Sequence, residues 1–232
     1  MAETISTVLK GIKLLGELST DELTELGEFC LYKRFSPGEQ IFDRQSDSRD
    51  VYFVVRGTVR IVNYSLSGRE ITLDELPAGS HFGELAALDG RPRSAGVMAL
   101  TPALIVALPH RHFLKALERY PALALKVMMH LAMIVRSSNE RIMDLSTLGA
   151  NNRVHAELLR QARANTEDGL IASLAPVPVH GDMASRVSTT RETVARVMNE
   201  LARQGIVERT KEALIIRDLK RLRSMVEEVR GE

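Results

Sequence analysis

Residues 81 to 95 read His-Phe-Gly-Glu-Leu-Ala-Ala-Leu-Asp-Gly-Arg-Pro-Arg-Ser-Ala, and these residue types suit the capture of an anion. Gly83 lets the backbone approach a ligand. Glu84 to Leu88 can form one short helical turn whose first N–H groups, on Glu84, Leu85 and Ala86, have no internal partner. Such groups attract phosphate. Asp89-Gly90 ends the turn, and Arg91-Pro92-Arg93 returns a guanidinium whose fork of donors matches phosphate oxygens. Glu84 would repel a phosphate, so its carboxylate is better placed against a neutral hydroxyl pair, as on a ribose. The same stretch also fits an ordinary turn carrying a solvated arginine.

A second stretch, Gly181 to Leu201, reads as two short helices around a turn at Ser188-Thr189. Met183 and Val187 are spaced to pack on Val194, Val197 and Leu201, while Arg191, Glu192 and Arg196 project from the opposite side. Arginine can grip guanine O6 and N7, and a glutamate can accept from cytosine N4. An acid between two basic side chains makes poor sense as a phosphate grip and good sense as base reading. Arg186, Thr190 and Thr193 suit phosphate contacts. Two plainer uses share these residues: Thr189 and Glu192 have capping-box spacing, and Arg196 could pair with Glu192 or Glu200 on a solvated face.

The elements that must hold these residues follow from the change of period along the chain. Residues 5 to 30 are helical, with a start at Ser19-Thr20-Asp21-Glu22. Short β-type runs follow at 40–42, 50–55, 59–62 and 70–73, parted by Pro37-Gly38, Arg56-Gly57 and Ser67-Gly68, and runs at 96–100 and 103–108 close the set. Such a series predicts a small barrel or jelly roll. From Ala124 through Met128, Leu131, Val135, Ser138, Ile142 and Leu145 the spacing alternates four and three, a heptad seam that needs a partner helix. Leu148 to Asn152 predicts a hinge, Arg153 to Ala164 a helix, and Asn165 to Gly169 a loop. A hairpin over 205–216, with Lys211 at its tip, and an amphipathic helix from Asp218 complete the chain. The apolar spacing of that last helix suits packing on the preceding domain.

The 232 residues carry 31 Lys plus Arg against 30 Asp plus Glu, so any basic face for nucleic acid must be local. One cysteine, Cys30, excludes an internal disulfide and a four-cysteine metal site within one chain. No basic stretch leads into an apolar core at the start, and no apolar run is long enough for a membrane span. A soluble, cytoplasmic chain is expected. His110-x-His112 has the spacing of a cupin metal pair, but no carboxylate follows at short distance and Pro109 announces a helix; no metal and no enzymatic activity are expected.

Phe82 to Leu88 with Arg93-Ser94-Ala95 resembles the phosphate-binding cassette of cyclic-nucleotide-binding domains. Arg191-Glu192-Thr193-Val194 with Arg196 resembles the recognition helix of the cyclic-AMP receptor protein (CRP/FNR) family of transcription regulators. The resemblance runs from about Leu14 to Arg217 and implies an α+β fold. Its parts are an N-terminal cyclic-nucleotide-binding β-roll (jelly roll) with helices over 1–119, a long dimerisation helix over 120–147 and a C-terminal winged helix-turn-helix over 148–232. It also implies phosphate held at Gly83, Leu85, Ala86, Arg93 and Ser94, ribose at Glu84, and purine at Ser138 and Asn139 of the long helix, one from each subunit. The effector is cyclic AMP or cyclic GMP, since Ser94 can serve either. Ser138 could instead set the register of a coiled coil. The implied partners are double-stranded DNA with TGTGA-like half-sites, a second copy of the chain, and RNA polymerase. A haem or small-metabolite sensor on the same scaffold is the alternative, with Cys30 or a histidine as axial ligand.

Overall fold

The computed structural model describes residues 4–163, 165–166 and 170–230, in two compact units, Met1–Ile134 and Val135–Glu232. The start of the chain at 1–3, the expected helix end at Ala164 and the expected loop at 167–169 lie outside the described residues.

In the first unit α1 (Ile5–Lys10), a 3-10 turn (Lys13–Leu15) and α2 (Thr20–Gly27) precede the strands. Ser19 starts α2 with a capping box: its hydroxyl accepts from the Glu22 N–H, and the Glu22 carboxylate accepts from the Ser19 N–H at 2.7 Å. Eight strands follow: β1 (Leu31–Phe35), β2 (Gln40–Phe42), β3 (Val51–Arg56), β4 (Thr58–Tyr64), β5 (Glu70–Pro77), β6 (His81–Phe82), β7 (Gly96–Ala99) and β8 (Ala103–Leu108). They form two antiparallel sheets, in the orders β1-β8-β3-β6 and β2-β7-β4-β5, which is a jelly roll. Two of these strands, β1 and the two-residue β6, are absent from the sequence reading.

The run Val51-Tyr52-Phe53-Val54 is buried throughout because both faces of β3 are covered. Tyr52 and Val54 join Phe82, Val97 and Ile105 between the sheets. Val51 and Phe53 meet the helices, through Leu9, Ile12, Leu23 and, from α4 (His110–Arg119), Phe113. The strand therefore reads as a continuous apolar run rather than an alternating one. Pairing of β3 with β6 sets Phe53 opposite His81 and leads straight into α3 (Glu84–Asp89).

Helix α5 (Pro121–Thr147) carries Leu123 and Val127 into the first core, with Leu131 partly buried beside them. Part of the heptad seam is thus spent inside the unit. Met128, Val135, Ile142 and Leu145 of that seam stay exposed, with Leu125, Met129, Met133 and Met143 alongside.

The second unit contains α6 (Ala150–Arg163), β9 (Ala172–Leu174), α7 (His180–Arg186), α8 (Arg191–Arg203), β10 (Val207–Arg209), β11 (Leu214–Ile216) and α9 (Leu219–Arg230). The expected hinge is shorter than its sequence suggests. Ala150 to Asn152 are already helical, and Leu148 is buried with Ala156 and Val226, so tertiary packing overrides the turn preference of the two asparagines. Arg153 explains the tight junction: its guanidinium donates to the carbonyls of Leu148, Val187 and Ser188, tying the α5–α6 joint to the α7–α8 turn. The predicted packing of Met183 and Val187 with Val194, Val197 and Leu201 is present. The hairpin gains a third strand, giving the order β10-β11-β9. Leu219, Leu222 and Val226 bury α9 against this unit.

Candidate functional site

Gly83 caps α3 in the left-handed region at φ 88°. A Cβ there would stand 2.7 Å from Nη1 of Arg93 and 3.0 Å from the Asp50 carbonyl oxygen, so glycine is required both for the turn and for the arginine beneath it. Arg93 is 3% exposed. Its Nε donates to Ser48 Oγ at 3.0 Å, Nη1 to the Gly83 carbonyl at 2.8 Å and Nη2 to the Asp50 carbonyl at 2.7 Å, and the Phe42 ring lies 4.2 Å away. These bonds fix the guanidinium at the N-terminal end of α3. The Tyr52 hydroxyl also engages the guanidinium, so at most one of its five N–H donors is left over.

Glu84 is buried at the first position of α3. Burial pushes its carboxyl above the usual carboxylate range; its own backbone N–H, His130 and Arg93 oppose that push. His130 of α5 brings Nε2 to 3.9 Å from the Glu84 carboxylate. Leu85 and Ser94 are exposed and Ala86 is buried. Gly83, Glu84, Leu85, Ala86, Arg93 and Ser94 therefore form one small cradle that offers helix-start N–H groups, a fixed cation and a carboxylate. Ser138 and Asn139 belong to the second unit, exposed on α5.

The sequence reading missed the groups that hold this cradle. Ser48 and Asp50 reach Arg93 from 45 and 43 residues upstream, in a loop without a motif of its own. His81 was also missed. Burial, and then His130, hold its imidazole far below the ordinary range, at about 4. Of the pair His110 and His112, His112 stacks on Phe29 with ring centroids 3.8 Å apart and its Nε2 accepts from Arg111. Cys30 is partly buried, and burial pushes its thiol up to about 12.

In the second unit Arg191, Glu192 and Arg196 are all exposed on α8. Among the described residues Arg191 and Arg196 make no hydrogen bond or ion pair; Glu200, a candidate partner of Arg196, is taken by Arg203 and Gln204. The cap is Thr190, whose hydroxyl accepts from the Thr193 N–H at 3.2 Å, which replaces the expected Thr189 spacing. Arg186 departs from its expected place. Its side chain is 13% exposed and turned toward Glu157 of α6 at 3.9 Å, so its charge serves the interior of the unit. Lys211 stands exposed in the turn between β10 and β11. Helix α8 thus presents two unpaired guanidinium groups, among the described residues, on its exposed face.

The family model "Cyclic nucleotide-binding domain" matches residues 32–120, and "Crp-like helix-turn-helix domain" matches residues 152–225. The chain is 31% identical over 199 residues to a cyclic AMP receptor protein of Thermus thermophilus, covering 86% of this chain and 89% of the relative. Among solved structures it resembles a CooA mutant from Carboxydothermus hydrogenoformans, with a TM-score of 0.76, 22% identity, and coverage of 86% of this chain and 88% of that one. It also resembles the c-di-GMP responsive regulator CLP of Xanthomonas campestris, with a TM-score of 0.65, 17% identity, and coverage of 81% and 94%. The cradle, the roll around it, the helix-turn-helix and these relatives lead to one assignment: the chain belongs to the CRP/FNR family of transcription regulators.

Proposed function

We propose that this regulator is a homodimer whose grip on a palindromic DNA site is gated by a cyclic nucleotide, cyclic AMP or cyclic GMP. The cradle takes the nucleotide: the first N–H groups of α3, Arg93 and Ser94 hold the phosphate, and Glu84 holds the ribose hydroxyl. Ser138 and Asn139 of the paired α5 helices, one from each subunit, contact the purine. The exposed apolar stripe of α5 forms the seam between the two copies. Arg191, Glu192 and Arg196 read base edges in TGTGA-like half-sites, with Thr190 and Thr193 on phosphates. The division is a sensing roll over 1–119, a dimer helix over 120–147 and a DNA-binding domain over 148–232. RNA polymerase is the downstream partner, and the cytoplasm the place of action. No helix among the described residues is long and apolar enough to cross a membrane.

The observation that carries this reading is Arg93. A buried guanidinium locked by three bonds at a helix start is a costly arrangement to build without an anion to receive. The relative from Thermus thermophilus is described as a cyclic AMP receptor protein, which supports the choice of effector. Gating requires that the nucleotide bind one arrangement of the dimer better than the other. Calorimetric titration of nucleotide-free protein with each nucleotide, repeated with a TGTGA palindrome present, tests this. One nucleotide binding, with reciprocal tightening by DNA, is the expected result. Absence of binding by both would refute the assignment.

A further inference from the structure

His81, Glu84 and His130 each present one potential metal-ligating atom, and these three atoms lie within 4.8 Å of one another. His81 opens β6, Glu84 opens α3 and His130 comes from α5, so three separate elements converge on one point. The imidazole of His81 is 8% exposed and makes no hydrogen bond among the described residues, with Nε2 buried and unpartnered. An unpaired ring nitrogen in such a place is costly and asks for a ligand. The His130 ring lies 4.4 Å away, centroid to centroid, and is partly open to solvent. Glu84 adds a buried carboxylate, which is stable only where positive charge is near.

We propose that these three residues form a binding site for a divalent transition-metal ion of the zinc class, built into the floor of the nucleotide cradle. Two imidazoles and a carboxylate are a donor set that zinc takes with one position left open. Ligand atoms around a tetrahedral zinc stand about 3.4 Å apart, given bonds of about 2.0–2.1 Å. The observed spacings, 3.9 Å for Glu84 and His130 and at most 4.8 Å overall, close to that value by side-chain rotation. Arg93 is the opposing charge, and its bonds to Ser48, Gly83 and Asp50 keep it from turning toward the site. The site shares Glu84 with the ribose position. That part of the inference rests on the nucleotide reading above, and it makes metal and nucleotide mutually antagonistic.

The test uses untagged full-length protein stripped with chelator and titrated with Co2+ and with Zn2+ in the absence of nucleotide. One ion per chain is expected, with the visible absorption of four- or five-coordinate cobalt. His130→Gln and His81→Phe should each weaken binding at least about tenfold, while His112→Ala should leave it unchanged. His130→Gln alters a partly exposed side chain, and a native-like circular dichroism spectrum separates lost ligation from lost fold. No ion bound, or equal affinity in all three variants, overturns the site. Nucleotide affinity is then measured with chelator and with one equivalent of Zn2+. A loss of affinity with Zn2+ supports the shared carboxylate; no change overturns it. Failure of nucleotide to bind even with chelator would sink the cyclic-nucleotide reading and leave the cobalt result to decide the metal site alone.

Discussion

Arg93 of the roll and Arg191 of the winged helix carry the same guanidinium in opposite conditions. Arg93 is 3% exposed, with three donors spent on Ser48, Gly83 and Asp50. Arg191 is exposed and, among the described residues, without a hydrogen bond or ion pair. A site for a small anion must exist before the ligand arrives, because one ligand makes too few contacts to organise a loop as well. A site for DNA can keep its donors solvated, since a long polyanion supplies many contacts and the freed counterions help to drive association. The first arginine is therefore part of the fold, and the second keeps its donors in solvent.

The contrast is sharpest under truncation. Arg93→Ala leaves the carbonyls of Gly83 and Asp50 without their donor and should cost about 3 kcal/mol of stability in the roll, with loss of nucleotide response. Urea denaturation and calorimetry read the two effects, and a variant of unchanged stability would remove Arg93 from the fold's support. The second unit contains a lock of its own. Glu157 is buried and receives Arg160, Gln161 and, at 3.9 Å, Arg186. Glu157→Leu should destabilise that unit by about 2–3 kcal/mol, allowing for the partial exposure of the arginines, without altering which bases α8 prefers. A changed preference in a selection from random duplexes would show that the lock and the reading face are coupled.

Arg191→Ala lies at the other pole. Stability should move by less than about 0.5 kcal/mol, while discrimination at one guanine falls by about 1–3 kcal/mol. Equal weakening on all sequences would turn Arg191 into a phosphate contact. A smaller effect concerns pH. Burial lowers the His155 imidazole from its usual 6.5, so the folded second unit holds the ring neutral. Above about 6.5 neither state is protonated and nothing is lost; below it the unfolded chain takes up the proton first, and stability declines as pH falls from there toward the lowered value. Denaturation at pH about 7.5 and about 5.5 should show that decline, and His155→Leu should lessen it, leaving the share of His81, which is also held low. The smallest effect is chemical: Cys30, its thiol pushed up to about 12, should resist iodoacetamide at neutral pH until the roll is unfolded. Rapid labelling of the native chain would make Cys30 a surface thiol and contradict its burial.

The readable parts of the molecule were those in which chemistry and geometry share one stretch of chain. Gly83 to Ser94 is continuous, so its helix start, its turn and its returning arginine could be written down from local rules. The recognition helix declares itself through apolar residues at 194, 197 and 201 with charges between them. Where several distant segments must meet, the sequence is silent. Ser48 and Asp50 have no local reason to serve Arg93. His81 and His130 meet Glu84 only after β6 pairs with β3 and α5 packs on the roll. The expectation of no metal rested on His110-x-His112, the one histidine pair close in sequence. Arg186 illustrates the reverse error: on an isolated helix it would be a surface base, but α6 supplies Glu157 on its inner side. Strands β1, β6 and β9 were missed because two or three residues, or a run of mostly exposed ones, carry too little periodicity to be seen.

Four of the nine methionines, Met128, Met129, Met133 and Met143, stand exposed on α5. Their unbranched thioethers have many rotamers of similar energy and can refill a gap after a neighbour slides or rolls. A helix face on which Met128 sits in the seam and Met129, Met133 and Met143 flank it behaves like a greased bearing, in contrast to the fixed interdigitation of β-branched residues. Two helices joined across it could change crossing angle or register at small cost. A contact surface of this kind would hold two copies together and still leave them free to exchange one relative pose for another.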